Sequence, residues 1–286
     1  MGGQSALKAT AAPGDARRLA AEAIADGFEL IVAAGGDGTV NEVLNGIGDA
    51  PNGFERARLG VLPLGTVNVF ARELKIPLRP ERAWEILRRG REMKIDLGCA
   101  EFSGGGVRKK QFFAQLAGAG LDARAIELVD FSLKKKIGPL AYVVAGLKAL
   151  RERKPKIAVA RASCPCDPRS EEIHGQDARA TISGELVLIG NGKFYGGAFE
   201  IFPKADLRDG LLDVCIFPRA DFSTMLRCIP DFIARRKLPE KFVRRFRAEK
   251  FELICEFPAA FELDGEWAGN LPVTFSVERE KLRVIC

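Results

Sequence analysis

Apolar runs that end in glycine, each followed by apolar residues at helical spacing, organise the first third of the chain. Residues 30–34 make a run of the length of a buried strand. Gly35-Gly36-Asp37-Gly38-Thr39 follows, and then Val40, Val43, Leu44 and Ile47 share one helical face. The order returns at 59–74 as an apolar run, a Gly65-Thr66-Val67-Asn68 turn and a helix. Ahead of both, Ala16, Leu19, Ala20, Ala23 and Ile24 line one side of a helix that Gly27 ends. A helix at 83–87 and a strand at 93–97 complete this part.

Beyond residue 97 the pattern changes to short strands with polar turns. They are predicted at 109–117, 156–161, 184–191, 197–201, 211–217, 251–257, 260–264, 273–277 and 281–285. A glycine turn at 117–122 and helices at 123–130 and 137–150 interrupt them, and 162–179 reads as an overlong, mobile hairpin loop. Two domains are expected: an α/β domain with a parallel sheet over 1–97, and a mainly antiparallel β-sandwich over 98–286.

Composition narrows the function classes. An apolar share of 47% and a charged share of 29% belong to an ordinary globular protein. No apolar run approaches the roughly 18 residues of a membrane span, and the opening residues lack a signal peptide's basic start and apolar core. The seven scattered cysteines argue against a disulfide scaffold, so a cytoplasmic location is expected. Cys164-Pro-Cys166 is too closely spaced for zinc, and the lone His174 reads as a loop residue. The net charge of +6 is unevenly spread: 227–250 holds nine Lys/Arg against three acids. That stretch reads either as a solvated helix face with an apolar stripe or as a contact for an anionic bilayer. No nucleic-acid motif surrounds it, so nucleic acid is not an expected partner.

The chemistry lies in the turns. Adjacent glycines before a helix let a phosphate approach backbone N–H groups at the positive end of the helix dipole. Asp37 inside such a turn would repel a phosphate without a cation between them, which points to a nucleotide with Mg²⁺. The turn is neither a Walker loop nor a G-x-G-x-x-G fingerprint. Two acidic turns stand in the second half, one at 206–213 and one at Asp264-Gly265-Glu266; by spacing alone each is an ordinary β-turn.

GGDGTVNEV (35–43), LPLGTVNVFARELKIP (62–77), IGNGKFYGGAFEIFPKADLRDGLLDV (189–214) and ELDGEW (262–267) together resemble the diacylglycerol kinase catalytic-domain superfamily of lipid kinases. Its distant relatives with a GGDG turn are NAD kinases and 6-phosphofructokinases. The resemblance covers nearly the whole chain in the family's order. It implies ATP and Mg²⁺ as cofactors and a lipid hydroxyl at a membrane surface as acceptor, with a cytoplasmic, peripherally membrane-associated protein and room for a homodimer. It also implies that Thr10, Gly35, Gly36, Asp37, Gly38, Thr39, Val40, Asn41, Gly65, Thr66 and Asn68 hold the nucleotide. Asp37 and Asp96 would serve a catalytic magnesium, and Asp206, Asp209 and Leu211 a structural one. Asp264 and Glu266 jointly would provide the base.

Two departures are visible. Relatives begin with a strand ending in an Asn-Pro-x-Ser/Ala-Gly turn, which does not precede Thr10 here, so an N-terminally incomplete domain with impaired activity is expected. Relatives often carry Asp after the second turn's Asn, where this chain has Val69.

Overall fold

The computed structural model describes residues 5–121, 123–124, 155–163, 182–197, 199–221, 223–224, 227–228 and 238–286. The chain forms two compact units, Met1–Lys94 with Lys281–Cys286, and Ile95–Glu280. The sequence pattern does not reveal that the last residues return to the first unit.

The first unit contains α1 (Asp15–Ala25), β1 (Leu30–Gly35), α2 (Asp37–Asp49), α3 (Gly53–Arg56), β2 (Arg58–Pro63), α4 (Val69–Glu73) and α5 (Pro80–Arg89). Helix α1 buries Ala16, Ala20 and Ile24, and α2 buries Val40, Val43, Leu44 and Ile47, the stripes read from the sequence. The start of α1 is held by an acid from α2, because Glu42 accepts the N–H groups of Gly14 at 2.8 Å and Ala16 at 3.0 Å. Strands β1 and β2 run parallel from Leu30 opposite Arg58 to Gly35 opposite Pro63. The glycine turns therefore leave the sheet at the same level. That shared register positions the site.

The remaining strands are β3 (Glu92–Gly104), β4 (Val107–Phe113), β5 (Leu116–Gly120), β6 (Ile157–Ser163), β7 (Ser183–Gly184), β8 (Leu186–Gly190), β9 (Phe194–Tyr195), β10 (Phe199–Glu200), β11 (Leu212–Phe217), β12 (Arg244–Ala248), β13 (Lys250–Ile254), β14 (Ala260–Leu263), β15 (Glu266–Asn270) and β16 (Val273–Ile285). The chain passes between units within β3 and again within β16, whose Val284 pairs in parallel with Leu59 of β2.

In the second unit β12, β11, β8, β5, β14 and β15 form one antiparallel sheet in that order. Strands β16, β13, β6 and β7 pair antiparallel in a second, and the β3–β4 hairpin joins β16. Buried residues of both sheets share one core. Phe275 is its centre, with ring centroids 5.5 Å from Phe251, 6.0 Å from Phe113 and 6.1 Å from Phe261. Burying each such ring stabilises by about 1.5–3 kcal/mol. Strands β8 and β11 are apolar on both faces because a second cluster, with Leu186, Leu188, Phe202 and Phe217, covers the far side.

Several expectations are corrected. The glycine turn expected at 117–122 is, over 117–120, part of the buried strand β5, where small residues let neighbouring chains close in. The strand expected at 109–117 breaks after Phe113, where the backbone N–H groups turn toward a carboxylate described below. Not all of 227–250 is helix: of its described residues, 227–228 are helical and 244–248 form a strand. A short 3-10 turn at Glu240–Phe242 leads into β12, where Phe246 and Ala248 face the core in period two while Arg244 and Arg245 stay exposed. The strand expected at 197–201 is only the short pairing of β10 with β9, and those at 273–277 and 281–285 are one strand, β16. The helices expected at 123–130 (apart from 123–124) and 137–150, the loop from 164 to 179 and the segment 229–237 lie outside the described residues.

Candidate active site

The two glycine turns of the first unit touch backbone to backbone. A Cβ built on Gly65 would lie 2.4 Å from the Gly36 Cα, and one on Gly36 would lie 3.2 Å from the Gly65 Cα. The first separation is closer than side-chain carbon tolerates, so glycine is a steric requirement at 65, while the second is only tight. Asn68, left-handed at φ 54°, holds the second turn from within: its Oδ1 accepts the Gly65 N–H at 3.0 Å and its Nδ2 donates to the Gly65 carbonyl at 2.7 Å. Asp37 fastens the first turn to the second, its Oδ1 accepting the Phe70 N–H at 3.1 Å. The carboxylate thus sits at the start of α4, where its charge suits the helix dipole.

The N-cap of α2 is Gly36, so no side chain covers the helix start. Gly38 and Thr39 lie in its first turn, half-buried. This is the geometry of an anion cradle. Val40 and Asn41 are spent differently. The Val40 side chain is in the core with its N–H on the Gly36 carbonyl, and the Asn41 oxygens accept the Asn45 amide. Thr66 is exposed on the second turn, while Thr10 lies in exposed coil ahead of α1. A recess of about 390 Å³ in this unit, lined among others by Glu29, Arg56, Arg58, Glu92 and Arg283, holds none of the candidate residues. It lies by the opposite ends of β1 and β2 from the glycine turns.

In the second unit Asp264-Gly265 is a two-residue hairpin between β14 and β15, with φ of 50° and 86°, the pattern of a type I′ turn. The Asp264 carboxylate reaches back to accept the N–H groups of Ala114 at 2.8 Å, Gln115 at 2.9 Å and Leu116 at 3.0 Å. The Asp264 N–H donates to the Leu116 carbonyl at 2.8 Å. Buried Glu262 accepts the Gly265 N–H at 2.6 Å. Glu266, by contrast, is exposed on the outgoing strand. The pair expected to act jointly is therefore divided into an anchored acid and an exposed one.

Asp96 is buried, and its two oxygens accept the N–H groups of Gly210 and Glu280, each at 2.7 Å. It joins β3 to the acidic turn at 206–211 and to β16. That turn caps itself: Asp206 accepts the Arg208 N–H and Asp209 the Leu211 N–H. Arg247 supplies the cation, bridging Asp209 and Asp213. Burial opposes the Arg247 charge, but hydrogen bonds to Asp209 and Asp213 outweigh it and raise the guanidinium's pKa. Burial pushes the Asp213 carboxyl up, against the pull of Arg247. A magnesium ion on Asp209 would have to displace Arg247. The residues expected to bind a structural metal thus fit a charge-neutralised turn better. Among the described residues no three His, Cys, Asp or Glu side chains converge on a metal position.

Sequence reasoning missed Glu42, Glu262 and Asn191. Only Glu262, an acid within the apolar strand β14, carried a local signal.

Glycine turns at an open helix start, joined in sequence to a β-sandwich with an acidic hairpin, define a class of protein with an α/β half and a sandwich half. Comparison with known proteins gives the family. Residues 2–100 match the diacylglycerol kinase catalytic domain, and residues 115–286 the YegS C-terminal NAD kinase beta sandwich-like domain. A Bacillus subtilis protein named diacylglycerol kinase is 31% identical over 96% of this chain and 83% of its own length. A Pseudomonas aeruginosa protein, a YegS-like lipid kinase by name, is 32% identical over 99% of this chain and 85% of its own. A crystal structure of a diacylglycerol kinase from Bacillus anthracis superposes with a TM-score of 0.64 at 22% identity, covering 96% of this chain and 82% of that one. A second structure from that organism gives 0.71 at 23% identity, with the same coverage. The chain belongs to the diacylglycerol kinase catalytic-domain superfamily.

Proposed function

We propose that this protein is an ATP- and Mg²⁺-dependent lipid kinase that transfers the γ-phosphoryl group to a hydroxyl of diacylglycerol or a related lipid. The observation that carries this is the Gly36–Gly65 contact beside the open start of α2, which presents backbone N–H groups to phosphate. Gly35, Gly36, Gly38, Thr39, Gly65 and Thr66 hold the nucleotide, with Asn68 fixing the second turn. Magnesium, when bound, neutralises phosphate charge. With Asp37 as its nearby carboxylate, most of its ligands would be phosphate and water oxygens, as its octahedral shell prefers.

Glu266 is the base. Asp264 has both oxygens engaged by backbone N–H groups, whereas Glu266 is exposed to an incoming alcohol. It accepts the hydroxyl proton as the lipid oxygen bonds to phosphorus and the bond to the leaving ADP oxygen breaks. Asp264 shapes the turn that presents it. The lipid meets the protein at an anionic bilayer. Exposed Lys241, Arg244 and Arg245 are the described part of the basic stretch suited to that surface. Among the described residues no helix is long and apolar enough to cross a membrane.

The test is radiolabelled ATP with mixed lipid micelles and, in parallel, NAD. Labelled lipid supports the proposal. Mg-ATP binding without turnover would instead make the chain a catalytically silent homologue, an outcome to which Val69, buried where relatives often carry Asp, would contribute. NADP formation would redirect it to NAD kinase chemistry.

A further inference from the structure

Asn191 is fully buried between β8 and the loop before β9, and its side chain is oriented without ambiguity. Its Nδ2 donates to two backbone carbonyls, Asp96 at 2.9 Å and Ala114 at 2.8 Å. Flipping the amide would set its oxygen against both carbonyls, so the nitrogen must face them. The consequence is an Oδ1 with no hydrogen-bond partner among the described residues. A buried amide oxygen left this way is unfavourable unless water reaches it. Leucine would fill similar space without that cost, so the two donated bonds are what asparagine adds.

Those bonds converge on 114–116. The Ala114 carbonyl is held by the Asn191 side chain, and the Gln115 carbonyl by the N–H groups of Asn191 at 2.9 Å and Gly192 at 3.1 Å. The Leu116 carbonyl accepts the Asp264 N–H, and the three N–H groups of this segment hold the Asp264 carboxylate. Residues 114–116 are thus gripped by Asn191 from one side and by Asp264 from the other. Through the Asp96 carbonyl the same amide also ties in the residue that anchors the 206–211 turn.

We propose that Asn191 is a positioning residue for the proposed base: it fixes 114–116, which fixes Asp264, which sets where Glu266 stands. This rests on Glu266 being the base of a lipid kinase. Asn191 touches neither nucleotide nor lipid in this scheme, and its effect is transmitted through backbone.

The experiment compares wild type, Asn191→Ala, Asn191→Leu and Asn191→Ser by two measurements. Hydrogen exchange is read at the amides of 114–116 against those of β11. Steady-state kinetics give kcat, both KM values and the pH profile of kcat. In Asn191→Ala and Asn191→Leu the 114–116 amides should exchange at least about tenfold faster while β11 keeps its protection. Their kcat should fall about 10- to 100-fold with both KM values within about twofold, the scale of a misplaced catalytic group. The acidic limb of the pH profile should shift, and Asn191→Ser, which keeps one donor, should recover part of each effect. Unchanged exchange at 114–116 overturns the proposal, as does a loss of protection spread equally over β11. Full kcat in a variant whose 114–116 amides are loosened overturns the catalytic half. An inert wild type refutes the kinase assignment and the catalytic half with it, while the exchange result still decides whether Asn191 holds the clamp.

Discussion

The Cα atoms of Gly36 and Gly65 come so close that a single methyl group on Gly65 would stand 2.4 Å from its neighbour. Strands β1 and β2 bring both residues to the same edge in parallel register. The contact is asymmetric, since a methyl on Gly36 would meet Gly65 at 3.2 Å. Gly65→Ala must therefore push the turns apart, whereas Gly36→Ala asks a neighbour to yield by tenths of an ångström. Overpacking of the first kind costs about 1–3 kcal/mol. Gly65→Ala should lower thermal stability and weaken Mg-ATP binding by at least about tenfold, with Gly36→Ala milder in stability, as calorimetry on both variants will show. Equal stability losses would mean that the turns are not in this contact.

The two acids of the hairpin should separate cleanly. Asp264→Asn keeps one acceptor oxygen and turns an NH₂ toward N–H groups that lose their partner. A loss of about 2–4 kcal/mol is expected, because each buried donor left unmade costs about 1–3 kcal/mol. Glu266→Gln changes an exposed side chain, so its melting temperature should stay within about 1 °C of wild type. Its kcat should fall by about 10²–10⁴, the usual contribution of a general base. Unfolding curves and lipid-kinase rates measured on the same preparations decide it. The division is refuted if Glu266→Gln keeps full activity.

Much of this was legible in the sequence because local chemistry and tertiary role agree there. Glycines before Val40, Val43, Leu44 and Ile47 announce a strand–turn–helix corner, and the structure builds one. Asp264-Gly265 announces a hairpin, and one forms. What stayed hidden depends on partners distant in the chain. Residues 117–120 look like part of a glycine turn because nothing local shows the strands that flank β5. The basic stretch that ends in β12 looks helical by charge, but over 244–248 pairing with β11 imposes a strand. The sequence likewise gives no sign that Arg247, far along the chain, stands between Asp209 and Asp213. Asn191 gives no signal at all, since its role is a pair of carbonyls contributed by β3 and by Ala114, just beyond β4.

Arg247→Met tests whether an arginine neutralises the acidic turn. It removes charge-assisted bonds worth about 1.5–3 kcal/mol in buried settings; with Arg247 partly exposed, a loss of about 1–2 kcal/mol at neutral pH is expected. The sign with pH follows from Asp213, whose carboxyl burial already holds above the ordinary 3.8. A group raised in the folded state stabilises fully below its unfolded pKa, and that contribution is lost as pH rises through the folded value. Without Arg247 to pull it down, Asp213 should rise further, so the variant's deficit should grow between about pH 4 and pH 7. Chemical denaturation at both pH values measures this. A deficit that does not change with pH would show that Asp213 and Arg247 are not coupled.

At alkaline pH the buried thiols set the trend. Burial pushes Cys99 and Cys215 from an ordinary 9.0 up to about 11, and both are free and fully enclosed. The folded protein therefore keeps two protons that the unfolded chain begins to release near pH 9. Between pH 9 and 11 the native state binds more protons, so its stability must fall as pH rises, by about 1.4 kcal/mol per unit of pKa difference for each thiol. Replacing both by alanine removes this slope at the cost of two small cavities, and lysines titrating in the same range cancel in the comparison. Urea melts at pH 8, 9.5 and 10.5 on wild type and the double variant should show stability falling more steeply in the wild type. The native thiols should also resist alkylation at pH 8, because the reactive thiolate is scarce and enclosed. Parallel slopes in the two proteins, or rapid alkylation of Cys99 in the folded state, would mean that these thiols are not buried in solution.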